Sequence, residues 1–213
     1  MRYYLCSSLV DYSKMELHNE YHWVEDLLKH VHFPCHALLV ASSPDEIEKT
    51  RHYAQEIVDV MDKQGLCLSD FDILDRNSAK RTKELVNKAD IIIAMGGHVP
   101  TQNAFFQEID LKKHLQDFNG IWIGSSAGSM NSATLVYAQP ELKGEVIDSM
   151  FQLFVPGLGI TEKMILPHYS SWKNEVIDGF RLLEDVTYPD SQGHTFYLME
   201  DGSYVLGDTE EKI

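Results

Sequence analysis

Apolar and polar residues alternate in blocks along this chain, and the blocks predict strands and helices in turn. Tyr3-Tyr4-Leu5-Cys6 is a short apolar run and predicts a first strand. Val24, Leu27, Leu28 and Val31 recur at helical spacing, which predicts a helix over about residues 19–32, stopped by Pro34. Ala37-Leu38-Leu39-Val40-Ala41 is continuously apolar, the pattern of a strand covered on both faces. Ser43-Pro44-Asp45-Glu46 predicts a helix start, with Ser43 as cap, Pro44 as first residue and Glu46 closing a capping box. Ile47, Ala54, Ile57 and Met61 give that helix one apolar face, and Gly65 ends it. A strand follows within 66–74 and a helix over 80–88. Asp90-Ile91-Ile92-Ile93-Ala94-Met95 is the clearest strand signal, closed by Gly96-Gly97.

Residues 101–115 predict a helix with Ala104, Phe105, Ile109 and Leu111 turned inward. The apolar run Gly120-Ile121-Trp122-Ile123 leads into Gly124-Ser125-Ser126-Ala127-Gly128, and a small-residue helix start follows. Beyond Met130 the period weakens. Residues 141–153 show none that is firm, and Val155-Pro156-Gly157-Leu158-Gly159 predicts a strand and turn. Val176, Ile177, Phe180 and Leu183 predict a helix after a Ser170-Ser171 cap. Strands over 195–199 and 203–206 flank Asp201-Gly202, a hairpin signal. Alternating strands and helices imply an α/β fold of three layers: a mainly parallel sheet, helices on both faces, and a C-terminal hairpin. No repeat or linker divides the chain, so one domain over 1–213 is expected.

Composition narrows the class. Eighteen Lys and Arg against 33 Asp and Glu give a formal net charge of −15, which repels phosphate backbones and anionic membranes. Neither nucleic acid nor a membrane is an expected partner; a homodimer stays open. Cys6, Cys35 and Cys67 are odd in number, far apart and form no C-x-x-C pair, so reduced thiols in the cytoplasm are expected. The N-terminus lacks a secretory apolar segment, and no run approaches a membrane span.

Gly124-Ser125-Ser126-Ala127-Gly128, between a strand and a helix start, fits the G-x-S-x-G nucleophile elbow. A serine hydroxyl needs a base in hydrogen-bond reach and an acid to orient that base. His168, in Leu166-Pro167-His168-Tyr169-Ser170, sits between an apolar run and a helix cap, where a catalytic-rim base belongs. Glu200 and Asp201 end the following strand and are the candidate acids, although Asp-Gly is also an ordinary turn. Gly96-Gly97 offers a backbone N–H to an oxyanion, and His98 beside it is a candidate substrate contact. The helix start at Ala127 offers another N–H. A metal site is not expected: His18 and His22 have helical spacing, but Asn19 stands where H-E-x-x-H needs glutamate. No cofactor motif is present.

Taken together, Ile91 to Gly97, Thr101-Gln102-Asn103, the Ser126 elbow, Pro167-His168 and a late acid before Gly202 resemble the dipeptidase E (aspartyl dipeptidase) and cyanophycinase group of serine peptidases. That resemblance implies the class I glutamine amidotransferase-like fold, Ser126 as nucleophile, His168 as base and an oxyanion hole from Gly97 and Ala127. For the acid it implies Asp201 first and Glu200 next. Glu141, fifteen positions after Ser126, matches a further acidic position of the family. The implied activity is cleavage of a small peptide or dipeptide through an acyl-enzyme. Aspartyl-first selectivity needs a cation in the pocket, and Arg181 and Lys173 follow His168. The sequence departs from the family at His98, where Asn or Asp is usual, and over 130–153.

Two other arrangements fit the same residues. An α/β-hydrolase esterase would use Ser126 with His194 as base and Asp178, Asp185 or Asp190 as acid, in the order Ser, acid, His. A binding protein of the same fold with a silent site is the other. A glutamine amidotransferase proper needs a cysteine at the elbow, and Ser126 stands there.

Overall fold

The computed structural model describes residues 1–209. Its main sheet is built from β1 (Arg2–Cys6), β2 (Cys35–Val40), β3 (Leu68–Leu74), β4 (Ile91–Ala94), β5 (Ile121–Ser125) and β6 (Tyr204–Asp208). Their order across the sheet is β6-β1-β5-β4-β2-β3. β1 to β5 run parallel, and β6 lies antiparallel against β1 at one edge.

Alternate residues of each strand point to opposite faces, which divides the core in two. Tyr4, Leu39, Ile91, Ile93 and Ile123 face α1 (Trp23–His30) and α2 (Ile47–Lys63), meeting Trp23, Leu27, Ile57 and Met61. Leu5, Leu38, Val40, Ile92 and Trp122 face α3 (Thr82–Lys88) and α4 (Val99–Glu108), meeting Leu85, Val86, Phe105 and Phe106. Both faces of β2 and β4 are buried, so those strands are apolar without alternation. Each such side chain contributes about 1.5–3 kcal/mol by leaving water. The result is the predicted three-layer α/β fold. No helix among the described residues is long and apolar enough to cross a membrane.

A third cluster, including Val99, Ala127, Met130, Tyr137, Leu166 and Leu183, covers the carboxyl ends of the central strands. Within it Met164–Leu166 and Phe196–Leu198 form a separate parallel pair.

Several local expectations are corrected. No hairpin closes the chain at Asp201-Gly202. Phe196–Leu198 pairs with Met164–Leu166, whereas β6 pairs with β1, so the turn carries the chain between two sheets. The hairpin lies at Asp178-Gly179 instead, where φ is 54° and 89° and Val176–Ile177 meets Phe180–Arg181 antiparallel. Those positive values suit the tight primed turns of a hairpin, and the pairing replaces the helix expected there. Helix α2 begins at Ile47 rather than Pro44; Ser43 accepts the Glu46 N–H through its carbonyl and does not cap with its side chain. Asp110, at φ 52°, breaks the helix expected over 101–115 into α4 and a short α5 (Leu111–His114). The helix expected over 19–32 is confined to α1, because His22 adopts φ 60°.

Backbone crowding explains the glycines around Ser126. A Cβ on Gly128 would run into the carbonyl of Ala94 at the end of β4, and one on Gly124 would lie 2.8 Å from Ser129 N. Gly124→Ala and Gly128→Ala are therefore each expected to destabilise the fold by about 1–3 kcal/mol. Urea unfolding midpoints measure this; wild-type midpoints would show that the neighbouring backbone yields freely.

Candidate active site

Ser126 lies at the sharp bend between β5 and a single-turn helix, α6 (Ala127–Met130), with φ 50° and ψ −113°. A non-glycine residue rarely holds such a conformation, and it costs about 1–3 kcal/mol. The surroundings impose it. The Ser126 N–H donates to the carbonyls of Cys6 and Ser7, both at 3.1 Å, and the Ser129 hydroxyl donates to the Cys6 carbonyl at 2.7 Å. The end of β1 thus clamps the bend from beside it.

His168 and Asp201 come from the ends of the small parallel pair. Its register places Leu166 opposite Leu198, and the Met199 N–H donates to the Leu166 carbonyl at 2.9 Å. The two chains therefore deliver His168 and Asp201 to the same place. His168 Nε2 lies 2.8 Å from Ser126 Oγ. His168 Nδ1 lies 2.6 Å from Asp201 Oδ1. That hydrogen bond holds the Asp201 carboxyl below the usual carboxylate range, against the opposing effect of burial. An ionised Asp201 favours the tautomer with the proton on Nδ1, an arrangement in which Nε2 can accept a proton from Ser126.

Gly96 packs against Ser126; a Cβ there would sit 3.2 Å from the Ser126 Cβ. Gly97 has φ 153°, and a side chain on it would collide with Ser42. The N–H groups of Gly97 and Ala127 donate to no acceptor among the described residues, which leaves them available to an oxyanion. Because α6 is one turn long, it has no extended helix dipole to add to these two N–H groups. The Thr101-Gln102-Asn103 segment anchors this loop. Gln102 Nε2 donates to the Met95 carbonyl at 2.8 Å. Asn131 then donates to Gln102 Oε1 at 3.1 Å and accepts from Asn103 at 3.0 Å. A cavity of about 820 Å³ opens over Ser126 and His168, walled on one side by Gly96, Gly97 and His98.

The family model for peptidase family S51 matches residues 36–211. The chain belongs to peptidase family S51. It is thereby a serine peptidase, a hydrolase. Similar folds are found in a candidate peptidase E protein from Listeria monocytogenes EGD-e, at 15% identity and TM-score 0.62 over 98% of each chain. A peptidase from an acI-B1 Actinobacterium is similar at 20% identity and TM-score 0.60, over 97% of this chain and 83% of that one. No curated protein matches in sequence.

In this S51 chain Glu200 does not reach His168. Its carboxylate accepts the Ser170 N–H at 3.1 Å and the Ser170 hydroxyl at 2.7 Å. His98 is held by Glu145 at 2.8 Å and Thr101 at 2.7 Å, so both ring nitrogens are occupied at the cavity wall. The esterase set is dispersed. His194 stacks on Phe154, Asp178 accepts the Gly144 and Val146 N–H groups, Asp185 pairs with Arg181, and Asp190 accepts the Tyr137 hydroxyl. Neither Arg181 nor Lys173 lines the cavity; Arg181 is bound to Asp185 and Lys173 lies over Tyr169. Lys49 is the cavity's lysine, and it is paired with Glu46 at 2.7 Å. Among the described residues no three His, Cys, Asp or Glu side chains converge as metal ligands.

Sequence reasoning overlooked Ser7. It is fully buried at the end of β1, and its hydroxyl contacts both His168 and Asp201. The one available signal was a polar Ser7-Ser8 directly after an apolar strand, at the catalytic rim.

Glu141 makes no hydrogen bond to His168 through its carboxylate, and burial, reinforced by Glu145, pushes its pKa up to about 7. The folded state then binds a proton that the unfolded state releases near pH 4.5, so stability falls as pH rises from about 4.5 to 7. Glu141→Gln should raise the melting temperature relative to wild type at pH 8 and leave it unchanged at pH 4. Equal differences at both pH values would show that Glu141 is not the titrating group.

Proposed function

We propose that this serine peptidase cleaves small peptides through an acyl-enzyme formed on Ser126. The carrying observation is the unbroken chain of contacts, 2.8 Å from Ser126 Oγ to His168 Nε2 and 2.6 Å from His168 Nδ1 to Asp201 Oδ1. In the first half-reaction Ser126 Oγ bonds to the scissile carbonyl carbon while its proton passes to Nε2. The carbonyl oxygen becomes an oxyanion held by the N–H groups of Gly97 and Ala127. The C–N bond then breaks, and the imidazolium returns the proton to the leaving amine. Water enters next, loses its proton to His168 and attacks the ester carbonyl; Ser126 leaves and recovers the proton. Asp201 orients the imidazole and stabilises its charged form without taking the proton.

Cavity chemistry guides the choice of side chain. Tyr12, Tyr53, Leu9 and Val10 supply apolar wall, while the charged side chains at the rim are already paired, Lys49 with Glu46 and Asp45 with Arg76. An acidic side chain would meet no uncompensated lysine or arginine there, so the expected preference is for apolar or aromatic residues over aspartate.

Ser126→Ala should remain folded and lose turnover by about three or more powers of ten. Loss of fluorophosphonate labelling in that variant would agree; retained activity would remove Ser126 from the mechanism. A dipeptide library assayed with wild-type protein should show apolar and aromatic dipeptides hydrolysed faster than aspartyl-first ones. The reverse ranking would overturn the reading of the cavity.

A further inference from the structure

We propose that Ser7 is a positioning residue of this site, a buried hydroxyl that locks His168 and Asp201 into a single arrangement. The inference rests on the Ser126, His168 and Asp201 roles proposed above. Ser7 follows β1, far from all three in sequence, and is 0% exposed. Its Oγ accepts the backbone N–H of His168 at 2.9 Å. Its hydroxyl proton goes to Asp201 Oδ1, also at 2.9 Å. That carboxylate oxygen is the same one that receives His168 Nδ1. One small group therefore touches the base through its main chain and the acid through its side chain.

This matters because neither partner is held by a long regular element. His168 has φ 55° and ψ 32° and precedes a helix of only four residues. Asp201 sits in a turn closed by the Ser203 N–H to the Glu200 carbonyl at 3.0 Å, with Gly202 at φ 88°. Loops of this kind adopt neighbouring conformations readily unless a buried contact selects one. Ser7 is fixed from the sheet side: its carbonyl, with that of Cys6, accepts the Ser126 N–H. Nucleophile, base and acid are thus all hydrogen-bonded to the two-residue segment Cys6-Ser7. The Ser7 hydrogen bond also favours the charged form of Asp201, in the same direction as His168 does. Two further titratable groups face this pair: His18, which also favours the charged form of Asp201, and Glu141, whose charged form His168 favours.

Ser7→Ala removes the donor to Asp201 and the acceptor for the His168 N–H. The rate of covalent labelling by a fluorophosphonate reports on the base without requiring a known peptide substrate. In wild-type protein kinact should be about 10- to 100-fold higher than in Ser7→Ala, with KI unchanged. Ser7→Cys, which keeps the volume and a weak donor, should fall between them, and it carries the test if the alanine variant does not fold. On an Asp201→Ala background the further loss from Ser7→Ala should shrink to under about threefold. Equal labelling of wild type and Ser7→Ala overturns the inference. So does an equal loss on both backgrounds, since Ser7 would then not act by coupling to Asp201. If wild-type protein itself is not labelled, the Ser126 reading fails first, and the role of Ser7 falls with it.

Discussion

The site depends on one strained residue. Ser126 stands at φ 50° and ψ −113°, a conformation an unconstrained chain would leave at once. It persists because its N–H is held by two carbonyls at the end of β1, and because the glycines beside it let β4 and α6 close around the bend. The bend projects the hydroxyl out of the sheet, above the carboxyl ends of the strands. Everything else at the site is arranged around that point. A relaxed backbone here would withdraw the hydroxyl from His168.

Neighbouring structure shows how much of the molecule serves that bend. The amides of Gln102, Asn103 and Asn131 tie α4 to the segment following α6, and they satisfy one another in a buried place where an unpaired amide would be costly. They also fix the Gly96-Gly97 loop against Ser126. The buried, largely parallel sheet supplies rigidity, and the segments added after Met130 supply His168 and Asp201. Ser126 and this pair therefore belong to two different packing units, joined at Cys6-Ser7.

Asp201 and Glu200 illustrate how neighbouring carboxylates take different work. Both lie at the end of the same short strand. Asp201 points toward His168 and is held ionised by it; Glu200 turns to Ser170 and caps a one-turn helix. Glu141 illustrates a third environment. It is half-buried, and burial together with a neighbouring carboxylate pushes its pKa up to about 7; it makes no hydrogen bond to the imidazole. Three acids near one histidine are thus separated by geometry and surroundings, and their chemical type alone does not rank them.

By itself the sequence determined the layers and the strand ends. Runs such as Ile91-Ile92-Ile93, short, β-branched and closed by Gly96-Gly97, fit strands buried on both faces, and glycines at 124 and 128 are required wherever a backbone approaches this closely. It also singled out Ser126, His168 and the late acids, because their local patterns follow from short-range chemistry. Tertiary structure decided which of them meet. The Asp-Gly pairs at 178 and 201 look alike in sequence, yet only the first closes a hairpin, since strand partners are chosen by packing over long separations. That same pairing of Phe196–Leu198 with Met164–Leu166 brought Asp201 rather than Glu200 to His168, with Ser7 against both. No local pattern encodes a contact between residues 7, 168 and 201; it exists only once β1 and the small parallel pair are packed side by side.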